Sequence, residues 1–440
     1  MIETPPRRPG LGSSWRLHLP SPRPLGVPAR LLAVLSVLGP GLIAANAGND
    51  AGGIATYASV GARYGYGLLW VMVLLTVAMG VVQEMCARMG AATGEGFTDL
   101  VRAHLGVRWT LFVVACLLVA NGGTIISEFA GIAAAAELFG IPRYLAVAPA
   151  ALIVWLLVTR GSYPRVERVF LAMTLVFFAY PISAYLAHPD WGGALHGAVV
   201  PSVQWNPDYL FLVVATIGTT ITPYMQLYVQ GSVAEKGVRL TEYGGQRLEV
   251  WGAAFFGNLI SGFIIIATAA TLFAAGTTDV ADAADAARAL APLAGQYASA
   301  LFAVGLLGAS LLAAAVLPLS TAYSVSEALG FERGLDKGFR AAPVFLGLYT
   351  GLVAVGALVA LLPGLPLITL LLIVQVVNGL LLPVILLSIL RLINRRELMG
   401  EAVNGPVYNT LAWTITVVIS AMALLMVAQQ VAGWLGLVAG

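Results

Sequence analysis

An aspartate stands inside an apolar run. Asp50 falls between Leu31 and Val60, in the stretch Gly48-Asn49-Asp50-Ala51-Gly52-Gly53. Much later, Gly218-Thr219-Thr220-Ile221-Thr222-Pro223-Tyr224 interrupts another apolar run. A carboxylate at membrane depth is costly and marks a functional site by default. The glycines around it, and the proline in its distant counterpart, predict helices that break in mid-membrane. Breaks at matching places in two halves of a chain point to a transporter's substrate site. An unwound turn frees backbone carbonyls, which in the membrane core must find a ligand or buried neighbours. With the Asp50 charge, they make a hard oxygen site for a cation in the class of Mg²⁺, Ca²⁺ or Mn²⁺. Thr219 and Thr222 add hydroxyls and further carbonyls. Met225, the nearest thioether, is not at the break itself, so softer metals gain little.

The elements that must position these groups follow from composition. Of 440 residues, 59% are hydrophobic and 10% charged, where a soluble domain carries about a quarter charged. A span needs roughly 20 apolar residues. Eleven are predicted: Leu31–Val60, Tyr66–Ala87, Trp109–Phe139, Tyr144–Thr159, Val169–Ala187, Tyr209–Gly231, Val250–Ala275, Tyr297–Leu329, Ala342–Leu362, Leu365–Ile393 and Tyr408–Leu437. With the N-terminus inside, 20 of the 23 Lys and Arg fall in cytoplasmic segments, leaving Arg63, Arg143 and Arg288 outside. That bias is the positive-inside pattern. It predicts a multi-pass protein of a prokaryotic cell membrane with a cytoplasmic N-terminus and an outer C-terminus.

Residues 1–30, rich in Pro and Arg, read as a flexible cytoplasmic tail rather than a cleaved signal peptide. Cys86 and Cys116 read as small core residues, since two isolated cysteines make neither a disulfide framework nor a zinc site. No nucleotide-binding loop of the Gly-x-x-x-x-Gly-Lys type appears, and no nucleophile–base pair points to an enzyme. The expected partners are divalent ions and the lipid bilayer, with no nucleotide, nucleic acid or bound cofactor. Asp279, Asp282 and Asp285 read as a solvated outer loop. Trp70, Trp155, Tyr209 and Trp251 read as interfacial aromatics.

Five spans in 31–190 and five in 207–395 form candidate repeats, each opening with an interrupted helix. An odd number of helices per unit forces the two copies into opposite orientation across the membrane, the inverted repeat of many secondary transporters. The eleventh helix, in 405–440, is then peripheral. Bland readings stand beside the functional ones: Asp50 as a helix cap, Gly53 as a packing glycine, Thr222 bonded to its own helix, and Glu128 paired structurally. Gln375 and Asn378 lie one turn apart on one helical face. Glu84 belongs either to an inner gate or to packing, and Glu137 and Glu327 read as interfacial.

At these residues the chain resembles the Nramp family of divalent metal transporters over nearly its whole length. Gly39-Pro40-Gly41-Leu42 followed by Asp50-Ala51-Gly52-Gly53 is similar to the family's first helix, which continues Asp-Pro-Gly-Asn. Gly218 to Tyr224 resembles its sixth-helix Gly-Thr/Ala-Thr-Ile-Met-Pro-His. Ser127-Glu128-Phe129-Ala130-Gly131 is similar to its third-helix Ala-Glu-Val-Ile-Gly. Gln375-Val376-Val377 with Leu382-Pro383 resembles the tenth helix, and Leu398-Met399-Gly400 the segment after it. The resemblance implies an all-α LeuT-type fold whose first and sixth helices unwind around a central metal.

Carried over by resemblance, the metal-site positions are Asp50, Gly53, the carbonyls near Ala47 and Thr219, Thr222 and Gln375. Asn378, which has no family precedent, is a candidate pocket group. Glu128 and Tyr224 are pathway positions. Typical members have Asn where Gly53 stands, Met where Thr222 stands, and two histidines where Tyr224 and Val229 stand. The departures imply a wider, harder, wetter pocket, as in the Nramp-related magnesium transporter branch. Neither Tyr224 nor Val229 titrates near neutral pH as histidine does. The expectation is import of largely hydrated Mg²⁺, and also Mn²⁺, driven by membrane potential without protons. Two alternatives remain open: a proton-coupled Mn²⁺/Fe²⁺ transporter, and a sodium-coupled carrier of an organic solute.

Overall fold

The computed structural model describes residues 49–159, 175–334 and 339–434. Ala47 and the first half of the first expected span lie outside the described residues, as does the start of the fifth. Among the described residues the elements are helical, with no strand. Their order is α1 (Ala51–Tyr64), α2 (Leu69–Thr93), α3 (Phe97–Leu105), α4 (Val107–Leu138), α5 (Arg143–Thr159), α6 (Ala179–Leu186) and α7 (Trp191–Val199). Then come α8 (Pro207–Thr220), α9 (Pro223–Lys236), α10 (Tyr243–Thr268), α11 (Ala298–Leu329), α12 (Pro343–Ala360), α13 (Leu367–Ile393) and α14 (Pro406–Trp434), with short turns between them. Among the described residues, eight stretches are long and apolar enough to cross a membrane, taking α8 and α9 as one. Arg143–Thr159 and Leu175–Leu186 are shorter apolar helices.

The sixth expected span is two helices because of Pro223. A proline has no N–H to give, so the Thr219 carbonyl four residues back loses its helical donor. The α8 ladder closes with Ile221 N–H on the Ile217 carbonyl, at 2.9 Å. Thr222 then adopts an extended conformation, with ψ 141°, and Pro223 opens α9, the first helical position that proline tolerates best.

Small residues set the approach of the helices around this break. On Gly218 of α8, a Cβ would lie 2.0 Å from the Gln375 carbonyl oxygen and 2.4 Å from the Gly379 N of α13. On Gly61 of α1, it would lie 1.9 Å from Thr268 Oγ1 on α10. Backbone contact of this kind is how helices associate in lipid, where burial of apolar surface offers little. The two 32-residue helices α4 and α11 are joined by Asn121 Nδ2 donating to Thr321 Oγ1 at 2.9 Å. Only 22% of the apolar stretch of α14 is buried, so this helix sits at the edge.

Apart from the buried Asp50 and Glu128, the ion pairs gather toward the two ends of the bundle. At one end Arg63 meets Asp208 at 2.8 Å. At the other, Arg88 holds Glu84 at 3.1 Å and donates to the Ala402 carbonyl at 3.0 Å, while its guanidinium lies over the Tyr408 ring. Tyr243 donates to the Glu84 carbonyl at 3.0 Å. Glu84 therefore ties α2, α10 and the start of α14 together. Glu137 pairs with Arg143, and Glu327 with Arg333.

Candidate metal site

The two breaks meet at one depth. Arg63 near the end of α1 bonds Asp208 at the start of α8, and Tyr57 one to two turns earlier bonds Thr220 near the end of α8, at 3.1 Å. The helices thus run antiparallel. Asp50, at the start of α1, lies near enough to Tyr224, two residues past the interruption, to act on it electrostatically. Asp50 caps α1: its Oδ1 accepts from Gly53 N–H at 2.7 Å. The capping role weighed for this residue is therefore real, and it occupies one oxygen. No other described residue donates to the carboxylate. Gly53 contributes a backbone N–H rather than a side chain. Asn49, beside the cap, accepts from Ser261 Oγ on α10 at 3.0 Å.

The other positions singled out in the sequence converge on this cap. Glu128 of α4 is fully buried. Its Oε2 accepts from Ala51 N–H at 3.5 Å and its Oε1 has no partner. Gln375 of α13 lies against Gly52, where a Cβ would fall 1.8 Å from its Nε2. Asn378 donates through Nδ2 to Gln375 Oε1 at 3.0 Å and to Thr124 Oγ1 at 2.9 Å. Tyr224 lies close enough to feel both the Asp50 and Glu128 carboxylates. Thr219 and Thr222 are buried at the break. Ala47 falls outside the described residues.

The electrostatics follow from the broken backbone. The N-termini of α1 and α9 both point their positive dipole ends toward the gap, and Asp50 offsets the first. Between them stand the last carbonyls of α8, whose negative ends favour a cation. Several buried polar atoms here are under-bonded: Gln375 Nε2 and Asn378 Oδ1 have no protein partner, and Thr219 Oγ1, Thr222 Oγ1 and Glu128 Oε1 have none of good geometry, the nearest hydroxyls being those of Tyr57, Tyr224 and Ser310. A buried group left unsatisfied costs about 1–3 kcal/mol, so such a cluster belongs where an ion or its waters supply the missing bonds. All but one of these atoms are oxygens. Among the described residues no three His, Cys, Asp or Glu side chains gather to hold a metal.

Three further buried groups at or near the site escaped the sequence reading. Gly131 of α4 packs on Ser310 of α11 and on Ala51, and the buried Ser310 hydroxyl faces the Glu128 carboxylate. Gln226 and Gln230 follow Thr222 at four-residue steps along α9, both fully buried. Their signal was present: amides at i, i+4 in an apolar helix occupy one face.

A family profile, Nramp, described as natural resistance-associated macrophage protein-like, matches residues 41–429. The chain is 30% identical over 409 residues to the divalent metal cation transporter MntH of Deinococcus radiodurans, covering 90% of each. It is 31% identical over 432 residues to MntH of Ralstonia nicotianae, covering 91% of this chain and 92% of that one. Among solved structures, the Eremococcus coleocola manganese transporter superposes with a TM-score of 0.72 at 22% identity, covering 94% of this chain and 90% of that one. MhsT in complex with L-phenylalanine superposes at 0.57 and 15% identity, covering 89% and 98%. These likenesses place the fold among LeuT-type helical bundles. From the broken-helix site, the profile match and the full-length relatives together, the protein belongs to the Nramp family and is a multi-pass membrane transporter of divalent metal cations.

Proposed function

We propose that the chain imports Mg²⁺, and Mn²⁺ less selectively, as a largely hydrated ion. Membrane potential drives the import without protons. The observation that carries this reading is the donor set at the two breaks. Asp50 has a carboxylate oxygen not used by the cap, Pro223 frees the Thr219 carbonyl, and Thr219 and Thr222 bring buried hydroxyls. Mg²⁺ dehydrates reluctantly and keeps several waters. Unpartnered acceptors suit the outward-pointing hydrogens of those waters. Gly53 adds no side-chain ligand, and Thr222 offers no sulfur, which removes the soft contact that favours transition metals.

In this reading the site comprises Asp50, the Ala47 and Thr219 carbonyls, Thr222, Gln375 and Asn378, with Gly53 providing space. Glu128 and Tyr224 border the route. The chain is arranged as a tail over 1–30, inverted repeats over 31–190 and 207–395, and a peripheral helix over 405–440. It has eleven spans and a cytoplasmic N-terminus. A divalent ion gains about 4–5 kcal/mol per 100 mV moving inward, since one charge is worth ~2.3. That is sufficient to concentrate Mg²⁺ without a coupled proton. Histidine is absent from α9, and Tyr224 does not exchange a proton near neutral pH.

The test is ion uptake into proteoliposomes at a fixed inside-negative potential, with a pH reporter in the lumen. Saturable Mg²⁺ entry with no lumenal acidification is the expected result. Mn²⁺ entry with acidification and no Mg²⁺ entry would establish the proton-coupled Mn²⁺/Fe²⁺ alternative. Amino-acid entry dependent on Na⁺ would establish the organic-solute alternative.

A further inference from the structure

From the cap of α9 into the helix, Thr222, Gln226 and Gln230 recur every fourth residue. They therefore share one helical face, each about 6 Å further toward the end that carries Lys236. All three are almost wholly buried, at 1%, 0% and 0% exposure. Gln226 Oε1 and Gln230 Oε1 have no hydrogen-bond partner, and the Thr222 hydroxyl above them has Tyr224 beside it. The orientation of both amides is set by their other ends. Gln226 Nε2 donates to the Thr222 carbonyl at 3.3 Å, and Gln230 Nε2 donates to the Glu95 carbonyl at 3.1 Å. Since those partners only accept, the nitrogen must face them and the oxygen is the free end. A buried helix face thus presents a column of neutral acceptors that begins at the metal site.

The column ends at charge. Gly94 terminates α2 in the left-handed conformation, φ 68°, and turns the chain so that the Glu95 carbonyl meets Gln230. The next residue, Gly96, is pressed against Glu327, whose Oε2 would lie 2.7 Å from a Cβ there. Glu327 also accepts from Thr98 Oγ1 at 2.9 Å. Arg333 bonds both Glu327, at 3.2 Å, and Asp99, at 3.4 Å, and acts electrostatically on Glu235 of α9. Three carboxylates and one arginine therefore surround the end of the column.

We propose that the Thr222, Gln226 and Gln230 face of α9 is the inward release route of the hydrated cation. It leads from the broken-helix site to a mouth formed by Glu327, Asp99 and Glu235. This inference rests on the cation reading above. A cation that keeps its waters needs acceptors for their hydrogens at every step. Neutral amide oxygens supply them weakly enough that the ion moves on, which conduction requires. A carboxylate inside the column would hold the ion. At the mouth, carboxylates draw it out, and Arg333 compensates them when no ion is present.

The test uses the full chain in proteoliposomes, with Mn²⁺ binding by isothermal titration on the same preparations. For Gln226→Leu/Gln230→Leu, the expected result is a maximal Mg²⁺ uptake rate at least tenfold lower, with Mn²⁺ affinity within twofold of wild type. Gln230→Glu separates transit from structure. Both replacements at 230 lose the bond to the Glu95 carbonyl, but only glutamate adds a charge. The expected result is tighter Mn²⁺ binding with slower Mg²⁺ release than in Gln230→Leu. An unchanged maximal rate in the double variant would overturn the proposal. So would equal defects and equal affinity in Gln230→Leu and Gln230→Glu, because that is the signature of a packing role. If wild-type protein neither binds Mn²⁺ nor carries Mg²⁺, the cation reading itself is at fault and not the route.

Discussion

Asp50 does two jobs in this structure, and its substitutions separate them. Its Oδ1 caps α1 through Gly53 N–H at 2.7 Å, while its charge faces the gap between the breaks. Asparagine caps a helix about as well as aspartate, whereas alanine costs about 1 kcal/mol. Asp50→Asn should therefore fold as the wild type does and lose only the charge. That charge can be sized. A divalent ion with one water between it and the carboxylate sits about 5 Å away. The attraction there is ~7 kcal/mol at an effective dielectric constant of 20 and ~1.7 kcal/mol at 80. The lower bound alone is worth more than tenfold in affinity. Mn²⁺ affinity in Asp50→Asn should drop at least tenfold with thermal stability near wild type. Asp50→Ala should lose the same affinity and about 1 kcal/mol of stability as well. Titration calorimetry and thermal unfolding of the same detergent preparations read both quantities. If Asp50→Asn binds and transports like wild type while Asp50→Ala fails in step with its unfolding, the carboxylate is a cap and nothing more, and the site reading is refuted.

Three other perturbations are as direct. Thr222→Met restores a thioether at the break and should raise uptake of Mn²⁺ and Cd²⁺ relative to Mg²⁺ severalfold, read in paired flux assays; an unchanged ratio would remove Thr222 from the pocket. Gly218→Ala drives a methyl into the Gln375 carbonyl and the Gly379 backbone, where no flexible side chain can yield. It should cost at least the 1–3 kcal/mol typical of overpacking, seen as a lowered unfolding temperature. Gly122→Ala, where a Cβ meets nothing within 4 Å, is its tolerated control. Arg88→Met leaves Glu84 buried without its cation and unties α2 from Ala402. A buried pair that loses one partner costs about 3–5 kcal/mol, so this variant should be poorly expressed, and Glu84→Gln/Arg88→Met should recover part of the loss.

Much of the architecture was legible in the chain because membrane depth leaves few options. Backbone groups in lipid must be bonded internally, so every long apolar run had to be a helix, and the expected spans fall on helices wherever residues are described. The break at Ile221 and Thr222 was likewise local: Pro223 withholds an N–H from Thr219 whatever surrounds it. Asp50 as the start of a helix followed from its own side chain and the N–H groups three residues on. Tertiary structure decided which distant groups meet that carboxylate. Nothing local places Glu128 on Ala51, Gln375 on Gly52 or Asn378 on Thr124, since those contacts depend on how closely α4 and α13 approach α1. The same holds for Glu84, whose partners Arg88 and Tyr243 come from its own helix and from α10. Gln226 and Gln230 are the clearest case. Their four-residue spacing was written in the chain, yet whether their oxygens were satisfied or free depended on which backbone carbonyls their nitrogens would reach, and only the packed structure settles that.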